Sequence, residues 1–276
     1  MFSILLIIPY ICACSTTKTV QKNKFIADMP MPFEEYFKNV EVIDPSIPTQ
    51  EITFWDVSDV DISYVDLSRK LIAFTFDDAP LKTLENICAV FAEYNENNPD
   101  CKATSTIFVN GSYVEESTVH QLHTAHILGM ELGNHTHSHL DLTALDEAAL
   151  KREIQRTDEI LSKVDEKKQH LLRAPFGKIN EQVKSIAKSP IIDWTIDTLD
   201  WTNVSAEQIY KSIFNGKFSG AIVLMHDGPH NTVEALKRLL PDLKNAGYQV
   251  VSVSALAKAH GCKLKNGSVY IRARKQ

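Results

Sequence analysis

Short apolar runs that alternate with stretches of helical periodicity constrain this chain more than any other feature, and they begin at residue 69. Leu71 to Phe76 reads as a strand buried on both faces. Ser105 to Val109, Met130 to Asn134, Leu171-Leu172, Ile191 to Ile196, Ala221 to Met225 and Val250 to Val253 supply further strands. Between them lie helical patterns. Leu84, Ile87, Val90 and Phe91 share one face, and Val114 to Leu128 follows. Thr143 opens a long amphipathic helix with Leu145, Ala149, Ile154 and Ile160, and shorter stretches cover 180–188, 205–214 and 231–245. Repeated strand–helix alternation predicts a parallel sheet wrapped by helices. No GxGxxG or P-loop marks a nucleotide crevice, so a closed barrel is expected rather than an open sheet.

The 29 basic and 35 acidic side chains give the 276-residue chain a net charge of −6, and 44% of its residues are hydrophobic. That composition excludes a disordered or low-complexity protein and gives no electrostatic footprint for nucleic acid. The one stretch suited to a membrane is Phe2 to Ala13, too short for the about 20 residues of a spanning helix and read as a signal-peptide core. Ile11-Cys12-Ala13-Cys14 resembles a bacterial lipobox, although no Lys or Arg precedes it. The expectation is a lipoprotein anchored at Cys14, in the cell envelope at the outer membrane or cell surface, with membrane contact only through that lipid. The alternative is an ordinary secretory signal cleaved elsewhere. The predicted organisation is a signal over 1–14, a tether and N-terminal extension packing on the main domain over 15–68, a catalytic domain over 69–260 and a C-terminal tail over 261–276, its basic run Lys263 to Lys275 solvated. Cys88, Cys101 and Cys262 are odd in number; a Cys88–Cys101 bridge is permitted in an oxidising compartment. His120, His123 and His126 read as a polar helix face.

The chemistry collects where the apolar runs end. Phe74-Thr75-Phe76 runs into Asp77-Asp78-Ala79-Pro80, and Met130 to Asn134 into His135-Thr136-His137-Ser138-His139. Leu171-Leu172 leads to Arg173-Ala174-Pro175-Phe176-Gly177, Ile191 to Ile196 to Asp197 and Asp200-Trp201, and Ala221 to Met225 to His226-Asp227-Gly228. In a barrel this is the face where catalytic residues converge. Two adjacent carboxylates are costly to bury unless a cation neutralises one and an Arg pairs with the other. His135 and His139, at i and i+4, can face one point from a turn of helix. Two imidazoles with one carboxylate leave open positions for water and substrate, which is a catalytic rather than a structural metal arrangement.

Taken in this order, the five segments resemble the polysaccharide deacetylase family (carbohydrate esterase family 4) over about residues 69 to 260. The resemblance implies a distorted (β/α) barrel of seven or eight parallel strands, here with an N-terminal extension. It also implies Zn²⁺ or another divalent transition metal, and removal of acetyl groups from N-acetylated, or O-acetylated, glycans. By resemblance Asp77 is the general base, Asp78, His135 and His139 bind the metal, and His137 stays outside the set. Arg173 holds the base, and the backbone N–H of Phe176 helps bind the oxyanion. Asp200 orients the acid His226, while Trp201 and Leu224 line the acetyl pocket. Three departures stand out. Ala79 takes the place of a usual Gly, which tests the backbone angle there; Ala174 replaces a frequent Pro, and Phe176 a frequent Tyr. None touches a metal ligand or a proton-transfer group. Two other classes stay open: a catalytically silent sugar-binding lipoprotein on the same barrel, and a metal-free hydrolase of a small cyclic amide.

Overall fold

The computed structural model describes residues 53–274, which lie within one compact unit. The signal-like segment, Cys14 and most of the extension fall outside the described residues.

The first strand, β1 (Lys70–Ala79), is the centre of the barrel. It is followed in chain order by α1 (Leu84–Asn97), β2 (Thr106–Val109), α2 (Val119–Ile127), β3 (Glu131–Asn134), α3 (Glu147–Asp165) and α4 (Glu181–Ile186). Then come β4 (Ile191–Ile192), β5 (Ile196–Asp197), α5 (Ala206–Gly216), β6 (Ile222–His226), α6 (His230–Asn245), β7 (Tyr248–Val251), α7 (Val253–Ala259) and β8 (Val269–Tyr270). Parallel pairing runs β3-β2-β1-β6-β5. On the other side of β3, Leu172 bridges Asn134 and Ile191, so the ring runs on to β4, which residues 193–195 link to β5 through the chain rather than through a ladder. β7 pairs with the first half of β1, below β2, which holds the second half. With Leu172 counted as a strand position, seven parallel strands make the barrel, or eight if β4 and β5 are taken separately.

Alternation along the strands sorts the core into an inner and an outer set. From β1, Ile72, Phe74 and Phe76 face outward and pack with Ile107, Val109, Val223 and Met225 beneath the helices. Leu71 and Ala73 face inward with Phe108, Ile222 and Val251. Higher up the barrel the inward residues turn polar: Leu71, Ala73, Thr75 and Asp77 on β1, Ile222, Leu224 and His226 on β6. Asp77 lies level with His226 and Thr75 with Leu224 in that register. An apolar floor therefore carries a polar mouth, and the chemistry sits at the C-terminal ends of the strands.

The structure corrects three expectations about the elements and settles one open question about the cysteines. The long helix starts at Glu147 rather than Thr143, because the Asp146 carboxylate caps it by accepting the Ala149 N–H at 2.7 Å; Leu142–Ala144 is a separate 3₁₀ turn. Ile191 to Ile196 is not one strand but two short ones, since residues 193–195 carry the chain from one side of the barrel closure to the other. Described residues after 260 are not a free tail. β8 pairs with β4, Leu264 and Ala273 are buried, and the Ala273 N–H donates to Gly220 O at 3.0 Å. No Cys88–Cys101 bridge forms; both are buried free thiols, with Cys88 Sγ 4.0 Å from Met130 Sδ. In the described part of the extension, Trp55, Val60, Ile62 and Tyr64 pack against the inner core cluster.

Candidate active site

Asp77 and Asp78 are adjacent, so a regular strand would send their side chains to opposite faces. A register shift in the β1–β2 pairing between Phe76 and Ala79, with Asp78 in the left-handed region (φ 64), re-aims them instead. Ala79 fits without strain because the left-handed residue is Asp78, not residue 79.

Asp77 is buried and paired with Arg173, whose Nη1 donates to its Oδ1 at 2.8 Å. A buried guanidinium is stable only if its donors are satisfied. Nη1 also reaches Thr75 Oγ1 at 2.6 Å, Nε reaches Ile192 O at 3.0 Å and Nη2 reaches Asp193 O at 3.3 Å. The guanidinium carbon stands 4.2 Å from the centroid of the Phe108 ring, on the apolar floor. Burial alone would raise the Asp77 pKa, but the charges of Arg173, His135 and His226 outweigh it and hold the carboxyl below its ordinary value. Asp77 is therefore an anion aimed into the mouth.

Asp78, His135 and His139 each turn one ligand atom to a common point, the three atoms lying within 4.8 Å of one another. Asp78 Oδ1 is 3.3 Å from His139 Nε2 and 3.6 Å from His135 Nε2. The His135 ring is fixed from behind by Nδ1, 2.9 Å from Arg173 O. Nδ1 must carry the proton to donate there, which leaves Nε2 as the ring nitrogen turned toward the carboxylate and placed to act as a ligand. Burial, and then the neighbouring His135, lower the His139 pKa, which favours a neutral imidazole at that position. Asp78 Oδ1 is buried with no hydrogen-bond partner. Converging lone pairs around an orphaned carboxylate oxygen are the donor set of a divalent cation, so these residues fit the metal that the fold family implies. The two histidines do not share a helical turn as expected. They sit on an irregular loop in which Thr136 (φ 66) and His139 (φ 53) are both left-handed.

Across the mouth, His226 Nδ1 lies 2.7 Å from Asp200 Oδ1, and Thr232 Oγ1 donates to Asp200 Oδ2 at 2.7 Å. Burial opposes charge on His226, but the Asp200 hydrogen bond and the Asp77 and Asp200 charges raise its pKa above the ordinary value. Phe176, also left-handed (φ 62), is 62% exposed and sets its ring edge-on to His139 at 4.7 Å between centroids. Leu224 is buried in register with Thr75, and Trp201, 61% exposed, follows Asp200 on a 3₁₀ turn. His137 lies outside the cluster formed by Asp78, His135 and His139. The histidines of α2 form no metal cluster among the described residues, and His120 pairs with Glu85.

Several supporting residues were given no role by the sequence. Thr75 bridges Arg173 to Val223 O, which its hydroxyl meets at 2.6 Å. Glu153 accepts the Ser138 N–H at 2.7 Å and ties the histidine loop to α3. Asp227 accepts from the main-chain N–H groups of Leu81 and Thr83 and from the Thr83 hydroxyl. It thereby joins the loop after Asp78 to the loop after His226.

The mouth of the parallel barrel holds an Asp-His-His triad that could take one metal ion, set between an arginine-bound carboxylate and a carboxylate-bound histidine. The sequence profile described as polysaccharide deacetylase matches residues 64–190. The chain is 33% identical over 222 residues to a peptidoglycan-N-acetylglucosamine deacetylase of Bacillus cereus, covering 76% of this chain and 95% of that protein. It is 31% identical over 195 residues to the peptidoglycan-N-acetylmuramic acid deacetylase PdaC of Bacillus subtilis, covering 70% of this chain but only 40% of that longer protein. The solved structure of PdaC superposes with a TM-score of 0.65 at 31% identity, over 71% of this chain and 94% of the solved chain. The chain belongs to the polysaccharide deacetylase family.

Proposed function

We propose that this protein is a metal-dependent hydrolase that removes acetyl groups from N-acetylated glycans of the cell envelope. One observation carries the reading. An acid held ionised (Asp77, by Arg173) and a base held protonated (His226, by Asp200) are level on neighbouring strands and flank the Asp78–His135–His139 triad. Opposite poising of two groups at one site is what general base and general acid require.

In this reading Asp77 takes the proton of a water attacking the acetyl carbonyl. His226 then gives a proton to the amine nitrogen as the carbon–nitrogen bond breaks, releasing acetate. Asp78, His135 and His139 would hold a divalent metal, Zn²⁺ or a similar ion, which when bound supplies Lewis-acid polarisation of the carbonyl and of water. The Phe176 main-chain N–H is assigned to the developing oxyanion, and Leu224 and Trp201 to the acetyl methyl group. An N-acetylated cell-wall glycan is favoured because the named relatives act on peptidoglycan, and O-acetylated polymers offer the same acyl group. A lipid on Cys14 would hold the enzyme beside such a substrate. A binding-only role would leave the Arg173–Asp77 and Asp200–His226 pairs without purpose, and a metal-free amidase would leave the orphaned Asp78 Oδ1 unexplained.

The test is acetate release from peptidoglycan, chitin oligosaccharides and acetylated xylan, each with a chelated control. Release from an N-acetylated polymer that Asp77→Asn abolishes is expected. No release from any of them, with metal bound, overturns the proposal.

A further inference from the structure

Behind β3, away from the proton-transfer groups, a second set of titratable side chains is buried. His170 lies between two carboxylates of α3, with Nδ1 2.9 Å from Asp158 Oδ1 and Nε2 3.1 Å from Asp165 Oδ1. Its side chain is fully buried and that of Asp165 nearly so. A carboxylate only accepts, so both ring nitrogens must donate and the ring is an imidazolium. Charged neighbours on the other sides are few. Lys167 gives its main-chain N–H to Asp165 Oδ1 at 3.0 Å, and Lys151, Glu159, Lys168 and Lys188 line the surface groove beside Asp158.

The triad leads to one residue of the mouth. Asp158 Oδ1 also accepts from Asn134 Nδ2 at 2.9 Å, and the same amide nitrogen donates to Ile154 O at 2.9 Å. Those two acceptors fix the amide, so Asn134 Oδ1 points the other way and accepts the Thr136 N–H at 2.8 Å. Thr136 is β-branched and left-handed (φ 66), a conformation that persists only where its surroundings impose it. It stands between the two histidines of the metal-type triad. Gly111 and Ser112 also donate to the carbonyls of Thr136 and His137, at 2.9 and 2.7 Å, so the loop has independent ties as well.

We propose that Asn134, aimed by the buried Asp158–His170–Asp165 triad, is a positioning residue that sets the loop carrying His135 and His139 and thereby the affinity for metal. The inference rests on reading Asp78, His135 and His139 as metal ligands. Partners behind the first ligands are worth about 10- to 100-fold in metal affinity where they orient a ligand.

The experiment titrates metal-free full-length protein with Zn²⁺ against a competing chelating dye, for wild type, Asn134→Ala, Asp158→Asn and the double variant. The melting midpoint of each metal-free protein is measured alongside. Each single variant is expected to weaken Zn²⁺ binding about 10- to 100-fold, and the double variant no more than the weaker single one, because both act along one route. Zn²⁺ affinities within about twofold of wild type, even with lowered melting midpoints, overturn the inference, as do losses that add. Should Asn134→Ala fail to fold, the isosteric Asp158→Asn decides alone. A folded wild type that binds no Zn²⁺ overturns the metal-site reading and this inference with it, whereas tight wild-type binding matched by the variants overturns only the inference.

Discussion

Asp200 grips His226 twice: its Oδ1 faces the ring Nδ1 at 2.7 Å, and its Oδ2 accepts the main-chain N–H of the same residue at 2.8 Å. With Thr232 Oγ1 as a further donor, the carboxylate has three hydrogen-bond partners. An acceptor at Oδ1 keeps a proton on Nδ1, and Nε2 is the nitrogen that would deliver one to a leaving group in the proposed reaction.

Asp200→Asn removes the charge that opposes the burial cost on His226, so the raised pKa falls. His226 must be protonated to act as an acid, so activity declines as pH rises through its pKa. The expected outcome is a descending limb of the kcat–pH profile shifted to lower pH, with kcat at neutral pH lower by about 100-fold. A descending limb unmoved by the substitution would remove Asp200 from the role of tuning His226.

Arg173→Met leaves Asp77 buried without its guanidinium. Losing one partner of a buried pair costs about 3–5 kcal/mol, because the other charge stays uncompensated. The Asp77 pKa should then rise, since burial was the opposing influence, and the ascending limb of activity should move to higher pH. Urea unfolding at neutral pH together with the activity profile checks both; an unchanged midpoint would contradict the deep pairing.

The sequence reveals the barrel where residue type and burial agree, as in Leu71 to Phe76, whose alternate side chains meet the inner and outer cores. It does not reveal that the same strand continues through two aspartates to Ala79, because carboxylates at a strand end ordinarily mark its exit to solvent. The site residues are visible as types at strand ends, but their geometry is not. His135 and His139 suggest a helical turn by spacing, and nothing in a threonine announces the left-handed backbone that replaces it. Thr75 acts through hydrogen bonds to residues distant in sequence, and Asn134, which accepts from Thr136 two residues on, is itself aimed by Ile154 and Asp158 far along the chain, so no local pattern marks either role. At the other end of the chain, the basic composition after Lys263 hides Val269 and Tyr270, two residues that suffice to pair with β4.

Chelation should abolish turnover, and Zn²⁺ should restore it. A ligand at 100 times its Kd stabilises the folded state by about 2.7 kcal/mol, so added Zn²⁺ should raise the melting midpoint of metal-free protein. Asp78→Ala should erase that shift while costing the metal-free fold little, because Asp78 Oδ1 has no hydrogen bond to lose. A Zn²⁺-dependent shift of full size in Asp78→Ala would place the ion elsewhere.

His170 ties stability to pH in a defined direction. Burial opposes its charge, but the hydrogen bonds and charges of Asp158 and Asp165 prevail and hold its pKa above 6.5 in the folded protein. A pKa raised on folding stabilises fully below the unfolded value and stops contributing as pH climbs through the folded value. The metal-free wild type should therefore lose melting temperature as pH rises above about 6.5, the ordinary histidine value. His170→Gln keeps a donor for one carboxylate but cannot titrate. Its melting temperature should lie below that of the wild type near neutral pH, and the gap should narrow in alkaline buffer. Parallel curves for the two proteins across that range would show that the imidazolium charge contributes nothing to the fold.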